Sequence, residues 1–347
     1  MIALGVIVPC RDEAALIGRK LENLLLCEWP ASERPHRIAV VDDGSRDATA
    51  ELARAFAPRF ARLGVALEVV ANGVRPGKTG AIEAGLRALG GAPDVVVLTD
   101  ADVIVAPEAL LAFARAFEGE RELALASGAQ RFVSSLASDG SLRARDGGAL
   151  AGADTLYDRI TALVRALESR CGLVYSVHGQ LMAWRGALDL RPTPGIAADD
   201  LDLMLQARAR GLPVRRVAGA RFFEVRAPRG IEREKQAVRR ARAWVQFVRD
   251  GRAAELARAG GRLARWQAAS YARLPARGAP WGTALLALVF AAGYLAGPWA
   301  ALAVALACIA AALPLALVAW RVRARIQIAE VLEARGTMGD RWETARR

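Results

Sequence analysis

The stretch that most constrains the fold is Val95-Val96-Val97-Leu98-Thr99-Asp100-Ala101-Asp102. An unbroken, β-branched apolar run bounded by Pro93 and Pro107 predicts a strand buried on both faces, as inside parallel sheets. It ends in two carboxylates two residues apart. If extended geometry runs to Asp102, both side chains leave one face at the strand's carboxyl end, where open α/β sheets place their ligands. Two like charges this close require a cation or donor groups, and hard oxygen pairs suit Mg2+ or Mn2+ carrying a diphosphate. An isolated D-x-D is also a common solvated strand end, so its meaning depends on the rest of the chain.

At 347 residues there is room for one large α/β domain and an appendage. The net charge of +12 is almost wholly arginine, Lys20, Lys78 and Lys235 being the only lysines, a bias expected of a GC-rich, bacterial genome. The arginines are spread along the chain without a basic-aromatic module, so nucleic acid is not an expected partner. Cys10, Cys27, Cys171 and Cys308 form no C-x-x-C pair and read as reduced thiols of a cytosolic domain. Met1–Gly5 runs straight into a strand, so no signal peptide is expected.

Val6-Ile7-Val8-Pro9 is the first expected strand, stopped by Pro9, with Arg11-Asp12-Glu13 at the mouth of a helix carrying Leu16, Ile17, Leu21, Leu24 and Leu25 at helical spacing. Ile38–Val41 is a second strand ending in Asp42-Asp43-Gly44-Ser45, with Asp47 as the N-cap of a helix through Phe56. Leu67–Val70 is a third, followed by Arg75-Pro76-Gly77-Lys78-Thr79-Gly80 and a helix to Leu89. Strand, acidic loop and helix, repeated to about Phe117, predict a doubly wound, mostly parallel sheet. The strict phosphate-loop pattern fails at Gly77-Lys78-Thr79, because Gly73 lies one residue too close and Pro76 removes an amide donor. A lysine at a helix N-terminus can still hold a diphosphate.

Taken together, these residues resemble the catalytic domain of family 2 glycosyltransferases, the inverting, nucleotide-sugar-dependent enzymes with the GT-A fold. Val6–Glu13 is similar to their opening strand and P-x-x-N-E turn, with Asp12 in the Asn place. Val41–Ser45 is similar to their D-D-G-S loop, Gly77-Lys78 to their G-K turn and Asp100–Asp102 to their D-x-D. The resemblance covers roughly Ile2 to Phe247. It implies that Pro9, Glu13, Asp42, Asp43, Lys78, Asp100 and Asp199 bind the nucleotide sugar. It also implies that Asp102, with Asp100, holds Mg2+ or Mn2+.

Further on, Ala124–Val133 is an expected strand, Ser134–Gly148 a Ser/Gly/Asp-rich loop, and Thr155–Ser169 an amphipathic helix carrying Ile160, Leu163, Val164 and Leu167. Ser176–Arg185 resembles the family's strand on the acceptor side of the donor site, and His178 within it is expected to be structural. Ile196-Ala197-Ala198-Asp199-Asp200-Leu201-Asp202 resembles the family's acidic helix start. By that likeness Asp200 is the catalytic base, Asp199 its neighbour and Asp202 a surface residue. Val214–Val217 and Arg221–Phe223 are expected as two closing strands. On the basic helix Glu232–Trp244, Gln236 and Arg239 fit the family's Q-x-x-R, but Arg240 stands where Trp is usual. The resemblance implies that Arg239 and Arg240 bind the nucleotide sugar, and the departure leaves open which arginine of 239–242 meets the diphosphate.

Arg252–Leu274 alternates arginines with Leu256, Leu263, Trp266 and Tyr271, as a helix in a membrane interface does. Trp281–Trp320 contains no charged residue, is divided at Gly297-Pro298 and is flanked by arginines on both sides, which predicts a double crossing or a re-entrant hairpin. The expected organisation is a GT-A domain over 1–250, an interfacial segment over 251–278, a membrane helical hairpin over 279–322 and a basic tail over 323–347. The expected activity is metal-dependent transfer of a sugar from a nucleotide sugar, UDP-linked by expectation, to a hydroxyl of a lipid, lipid-linked or glycan acceptor. It would act at the cytosolic face of the cytoplasmic membrane. The alternatives are a nucleotidyltransferase of similar fold and a non-catalytic, membrane-tethered nucleotide-sugar-binding protein. Against the first, Pro9–Glu13 stands where those enzymes carry a glycine-rich loop.

Overall fold

The computed structural model describes residues 1–91, 93–226, 230–249, 267, 324–329 and 331. They divide into two compact units, the first spanning Met1–Glu232 and the second beginning at Arg233.

In the first unit, β1 (Leu4–Cys10), α1 (Ala14–Leu25), β2 (His36–Asp42), α2 (Thr49–Arg54), α3 (Ala57–Ala61), β3 (Val65–Ala71), α4 (Lys78–Ala88) and β4 (Val95–Thr99) build the expected parallel half. The short β5 (Ile104–Val105), α5 (Ala109–Gly119) and β6 (Leu125–Val133) follow. Then come α6 (Leu156–Arg170), β7 (Leu181–Arg185), α7 (Asp199–Ala209) and β8 (Val214–Val225). One sheet results, in the order β3-β2-β1-β4-β7-β6-β8-β5. β1, β2, β3 and β4 run parallel, β7 runs against both β4 and β6, and β5 against β8. β1 and β4 are buried along their whole length, which is why they read as continuous apolar runs, whereas the edge strand β3 alternates. Helix α1 covers this core with Ile17, Leu21 and Leu24, all fully buried.

Several elements depart from the sequence expectation. Pro9 does not end β1. The Cys10 carbonyl accepts from Asp43 N on the β2 side, so Pro9 turns its absent donor towards β4, whose pairing has ended at Ile7–Leu98. Helix α2 ends at Arg54 and Pro58 opens a separate turn. Its cap residue is Ala48, and Asp47 accepts from Thr49 N one residue upstream of a cap. The strand expected over Ser176–Arg185 begins only at Leu181. Val214–Val225 is one long strand with an irregularity in its pairing to β6 between Ser127 and Ala129, not two strands. Helix α6 starts at a capping box of Thr155 and Asp158, but its apolar stripe is unburied, Leu163 being 61% and Leu167 53% exposed.

Helix α8 (Ile231–Arg249) lies almost wholly in the second unit, where residues 324–329 are helical too. Among the described residues no helix is long and apolar enough to cross a membrane. The segment 281–320 lies outside them, as do 251–266, 268–278 and, of the tail, 323, 330 and 332–347.

Candidate functional site

The site forms at the carboxyl ends of β1, β2 and β4. The Pro9–Glu13 turn is fixed against the loop after β2 by three backbone donors. Asp12 N reaches Ser45 Oγ at 2.9 Å, Glu13 N reaches Thr49 Oγ1 at 2.8 Å and Ala14 N reaches Asp47 Oδ2 at 3.0 Å. Asp12 has φ +53°, a left-handed conformation that Asn and Asp tolerate better than other side-chain-bearing residues. The exchange of the family's Asn for Asp therefore keeps the turn, and the Asp12 carboxylate accepts from Arg46 N at 2.8 Å.

Of the two acids after β2, Asp43 is 6% exposed and works inside the fold. It accepts from Gly77 N at 2.9 Å and Asn72 Nδ2 at 2.5 Å, with Arg11 Nη1 at 3.5 Å. It thereby ties the Gly77-Lys78 turn to β2. Asp42 is half-buried and caps its own loop through Ser45 N at 3.1 Å. The Gly77-Lys78 turn needs its glycines: Gly77 has φ +109°, and a Cβ on Gly80 would stand 1.9 Å from the Arg75 carbonyl oxygen.

Strand β4 stops at Thr99, and Ala101-Asp102 turn away, so the extended geometry that would put Asp100 and Asp102 on one face does not hold. Because β7 is antiparallel to β4, Leu181 pairs with Thr99, and the chain preceding β7 arrives at the D-x-D. Asp100 N and Thr99 Oγ1 both donate to Gln180 O, at 3.2 and 3.1 Å. His178 is buried edge-on to Phe222, ring centroids 5.5 Å apart, and its backbone donates to Ser127 Oγ at 3.0 Å, in keeping with the structural role expected of it.

The first turn of α7 closes the site. Asp200 accepts from Gly179 N at 3.2 Å and from Leu201 N at 2.8 Å. Lys78 Nζ lies 2.8 Å from Asp100 Oδ1, 3.1 Å from Asp100 Oδ2 and 3.8 Å from Asp199 Oδ2. One lysine thus joins the D-x-D to the acidic helix start. Burial alone would lower the Lys78 pKa, but Asp100 and then Asp199 outweigh it and hold the ammonium above its ordinary range. Burial raises both acids of the pair, Asp199 to about 7, against the lowering effect of Lys78.

Asp202 is a correction. It is fully buried rather than a surface residue, and accepts from Thr193 N at 2.7 Å and Gln206 Nε2 at 3.0 Å. Arg239 and Arg240 are exposed on α8, in the second unit. Among the described residues no group of three or more His, Cys, Asp or Glu is arranged to hold a metal by itself.

Sequence reasoning passed over Lys20. Its side chain is fully buried, with Nζ 2.7 Å from Thr99 Oγ1 and 3.1 Å from Val103 O. Burial pulls its pKa down to about 8, opposed by Cys27, Asp100 and Asp102. The available signal was residue type: Lys20 is one of three lysines in a chain that otherwise uses arginine.

The family described as "Glycosyltransferase like family 2" matches residues 3–269. The chain belongs to this family. No curated protein matches this family 2-like glycosyltransferase in sequence. Among solved structures it is similar to the mannosyltransferase PcManGT from Pyrobaculum calidifontis in complex with GDP-Man and Mn2+. The two are 23% identical over 96% of this chain and 86% of that one, with a TM-score of 0.64. Glucosyl-3-phosphoglycerate synthase from Mycobacterium tuberculosis, in complex with Mn2+, UDP and glucosyl-3-phosphoglycerate, is 20% identical. That match covers 72% of this chain and 80% of the other, with a TM-score of 0.47. The likeness to PcManGT is one of fold, and the mostly parallel sheet is consistent with the GT-A fold.

Proposed function

We propose that this family 2-like glycosyltransferase is an inverting enzyme that moves a sugar from a nucleotide sugar to an acceptor hydroxyl. The observation that carries the reading is the Lys78 bridge. It joins the D-x-D to Asp199, whose neighbour Asp200 is fixed by two backbone amides, so that the base stands beside the diphosphate site. Asp200 takes the proton of the acceptor hydroxyl as it attacks the anomeric carbon. The Gly179 and Leu201 amides orient the carboxylate, and the ammonium of Lys78 offsets charge on the departing nucleoside diphosphate. Asp42 and Glu13 face the nucleoside, since Asp43 is engaged with Asn72 and Gly77.

The donor set fits Mg2+ or Mn2+, the latter held by PcManGT in its complex. Hard carboxylates complemented by substrate phosphate oxygens suit such ions without a dedicated protein cage. Lys78 occupies both oxygens of Asp100, which leaves Asp102 as the chief ligand. The ion, when bound, supplies charge neutralisation at the leaving diphosphate. The uncharged stretch 281–320 and its flanking arginines support a membrane hairpin, a catalytic unit on the cytosolic face and a lipid or lipid-linked acceptor. UDP is the nucleotide expected from the sequence, and the GDP-Man complex of PcManGT puts GDP beside it in the same screen.

The test is a screen of radiolabelled nucleotide sugars with membranes of the source organism, followed by lipid extraction, with and without chelator. Labelled lipid that depends on Mg2+ or Mn2+ is expected. Asp200→Asn should lower turnover by about 10²–10⁴-fold while leaving donor affinity within a few-fold. Near-normal turnover of Asp200→Asn with the true acceptor would shift the reading to an acceptor that is already anionic, such as a polyprenyl phosphate. Full activity in excess chelator would remove the metal.

A further inference from the structure

We propose that helix α1 is the positioning clamp of the Asp100–Asp102 segment, with the buried Lys20 as its anchor. The proposal deepens the metal and diphosphate assignment above and rests on it. Beyond Thr99 the segment leaves strand β4, so sheet pairing no longer fixes it. Besides Gln180 O, which accepts from Asp100 N, and Lys78 on the Asp100 carboxylate, what holds it is one edge of α1. Lys20 Nζ grips both flanks, Thr99 Oγ1 at 2.7 Å before the acids and Val103 O at 3.1 Å after them. Arg19 Nη2 donates to Asp102 O at 3.1 Å. Asn23 makes a two-way pair with the backbone of Val105, donating to its carbonyl at 2.9 Å and accepting from its N–H at 2.8 Å.

A packing role alone would not select lysine. Removing an ammonium from water costs several kcal/mol, and Leu or Met fills similar volume without that cost. What only a cation with several donors provides is simultaneous satisfaction of a hydroxyl and a carbonyl, plus a positive charge near Asp100 and Asp102. The other end of α1 is bonded to the Ser45–Thr49 region through Asp12, Glu13 and Ala14. The helix is therefore a strut between the loop after β2 and the D-x-D. Lys20 touches no reacting atom; it sets where Asp102 stands.

The test uses the full-length protein in detergent and compares wild type with Lys20→Met, which removes the donors, and Lys20→Gln, which keeps a donor without the charge. Hydrogen exchange in Lys20→Met should accelerate roughly tenfold or more over residues 100–105, the scale of losing a charged hydrogen bond, while β1 and β2 stay near wild type. Mn2+ affinity, read from the free-ion paramagnetic signal with UDP or GDP present, should weaken by about the same factor, with partial recovery in Lys20→Gln. Uniformly faster exchange across the sheet, unchanged exchange over 100–105, or unchanged or tighter Mn2+ binding would overturn the clamp. If Lys20→Met does not fold, Thr99→Val keeps the shape, removes one acceptor of Nζ, and is held to the same criteria. Wild-type protein that binds no Mn2+ with either nucleotide would count against the metal assignment, while the exchange measurement would still decide the clamp.

Discussion

Replacing Lys78 by Met isolates the electrostatic link on which the candidate site depends. In the wild type the Asp199–Asp200 pair is raised by burial and held back by Lys78, whose Nζ is 3.8 Å from Asp199 Oδ2. At an effective dielectric of about 20, one unit charge at that distance is worth roughly 4 kcal/mol. Lys78 is 22% exposed on its side chain, so water entering the vacated space screens part of this; both acids should rise further, Asp199 by about 1–2 pH units. Two measurements follow, with defined signs. A carboxyl raised in the folded state binds its proton more tightly there than in the unfolded chain. Its contribution is fully present below the unfolded value of 3.8 and is lost as pH rises through about 7 for Asp199. In Lys78→Met that loss extends to higher pH. The melting-temperature gap between wild type and variant should therefore widen from pH 5 to pH 8, by roughly 2 °C for about 1–1.4 kcal/mol. In parallel, the acidic limb of kcat/KM, which reports the free enzyme's base, should move upward. A gap that narrows with pH, or a limb that stays or falls, would refute the bridge as the control of these acids.

Substitutions at three further positions test the surrounding scaffold. Asp202→Ala should cost about 1–3 kcal/mol of stability by leaving Thr193 N without its buried acceptor, read by denaturant melts, with little change in donor KM. Gly80→Ala should disrupt the Lys78 turn, since a Cβ would stand 1.9 Å from the Arg75 carbonyl. Nucleotide binding measured by calorimetry should fall with it, and normal binding would show that the turn can move. Asp12→Asn should be neutral and Asp12→Ala should lose about 1 kcal/mol or more in thermal melts, because φ +53° at that residue suits Asn and Asp.

The parallel half of the sheet and the positions of the acidic loops were legible in the amino-acid order. Strands buried on both faces leave uninterrupted Val/Ile/Leu runs, and functional loops follow directly after them. Residues 6–8, 38–41, 67–70 and 95–98 needed no knowledge of their neighbours to be read as strands. Asp42, Asp43, Asp100 and Lys78 stood out by residue type and order at strand ends, and Asp199 and Asp200 by likeness to the family's acidic helix start. Which of them share a charge was not legible. The Lys78–Asp100–Asp199 cluster exists because β7 enters the sheet antiparallel beside β4, which starts it at the D-x-D, and the first turn of α7 returns to that end, where Asp200 accepts from Gly179 N. Tertiary contact also decided the roles of Asp43, Asp202 and Lys20. Asp43 is drawn inward by Asn72 and Gly77 N, Asp202 by Thr193 N, and Lys20 by Thr99 and Val103, about 80 positions away in sequence. Local order determines which segments can be strands and which side chains carry charge, because those depend on near neighbours. The partner of a buried charge is set by packing between distant segments, and only the folded sheet specifies it.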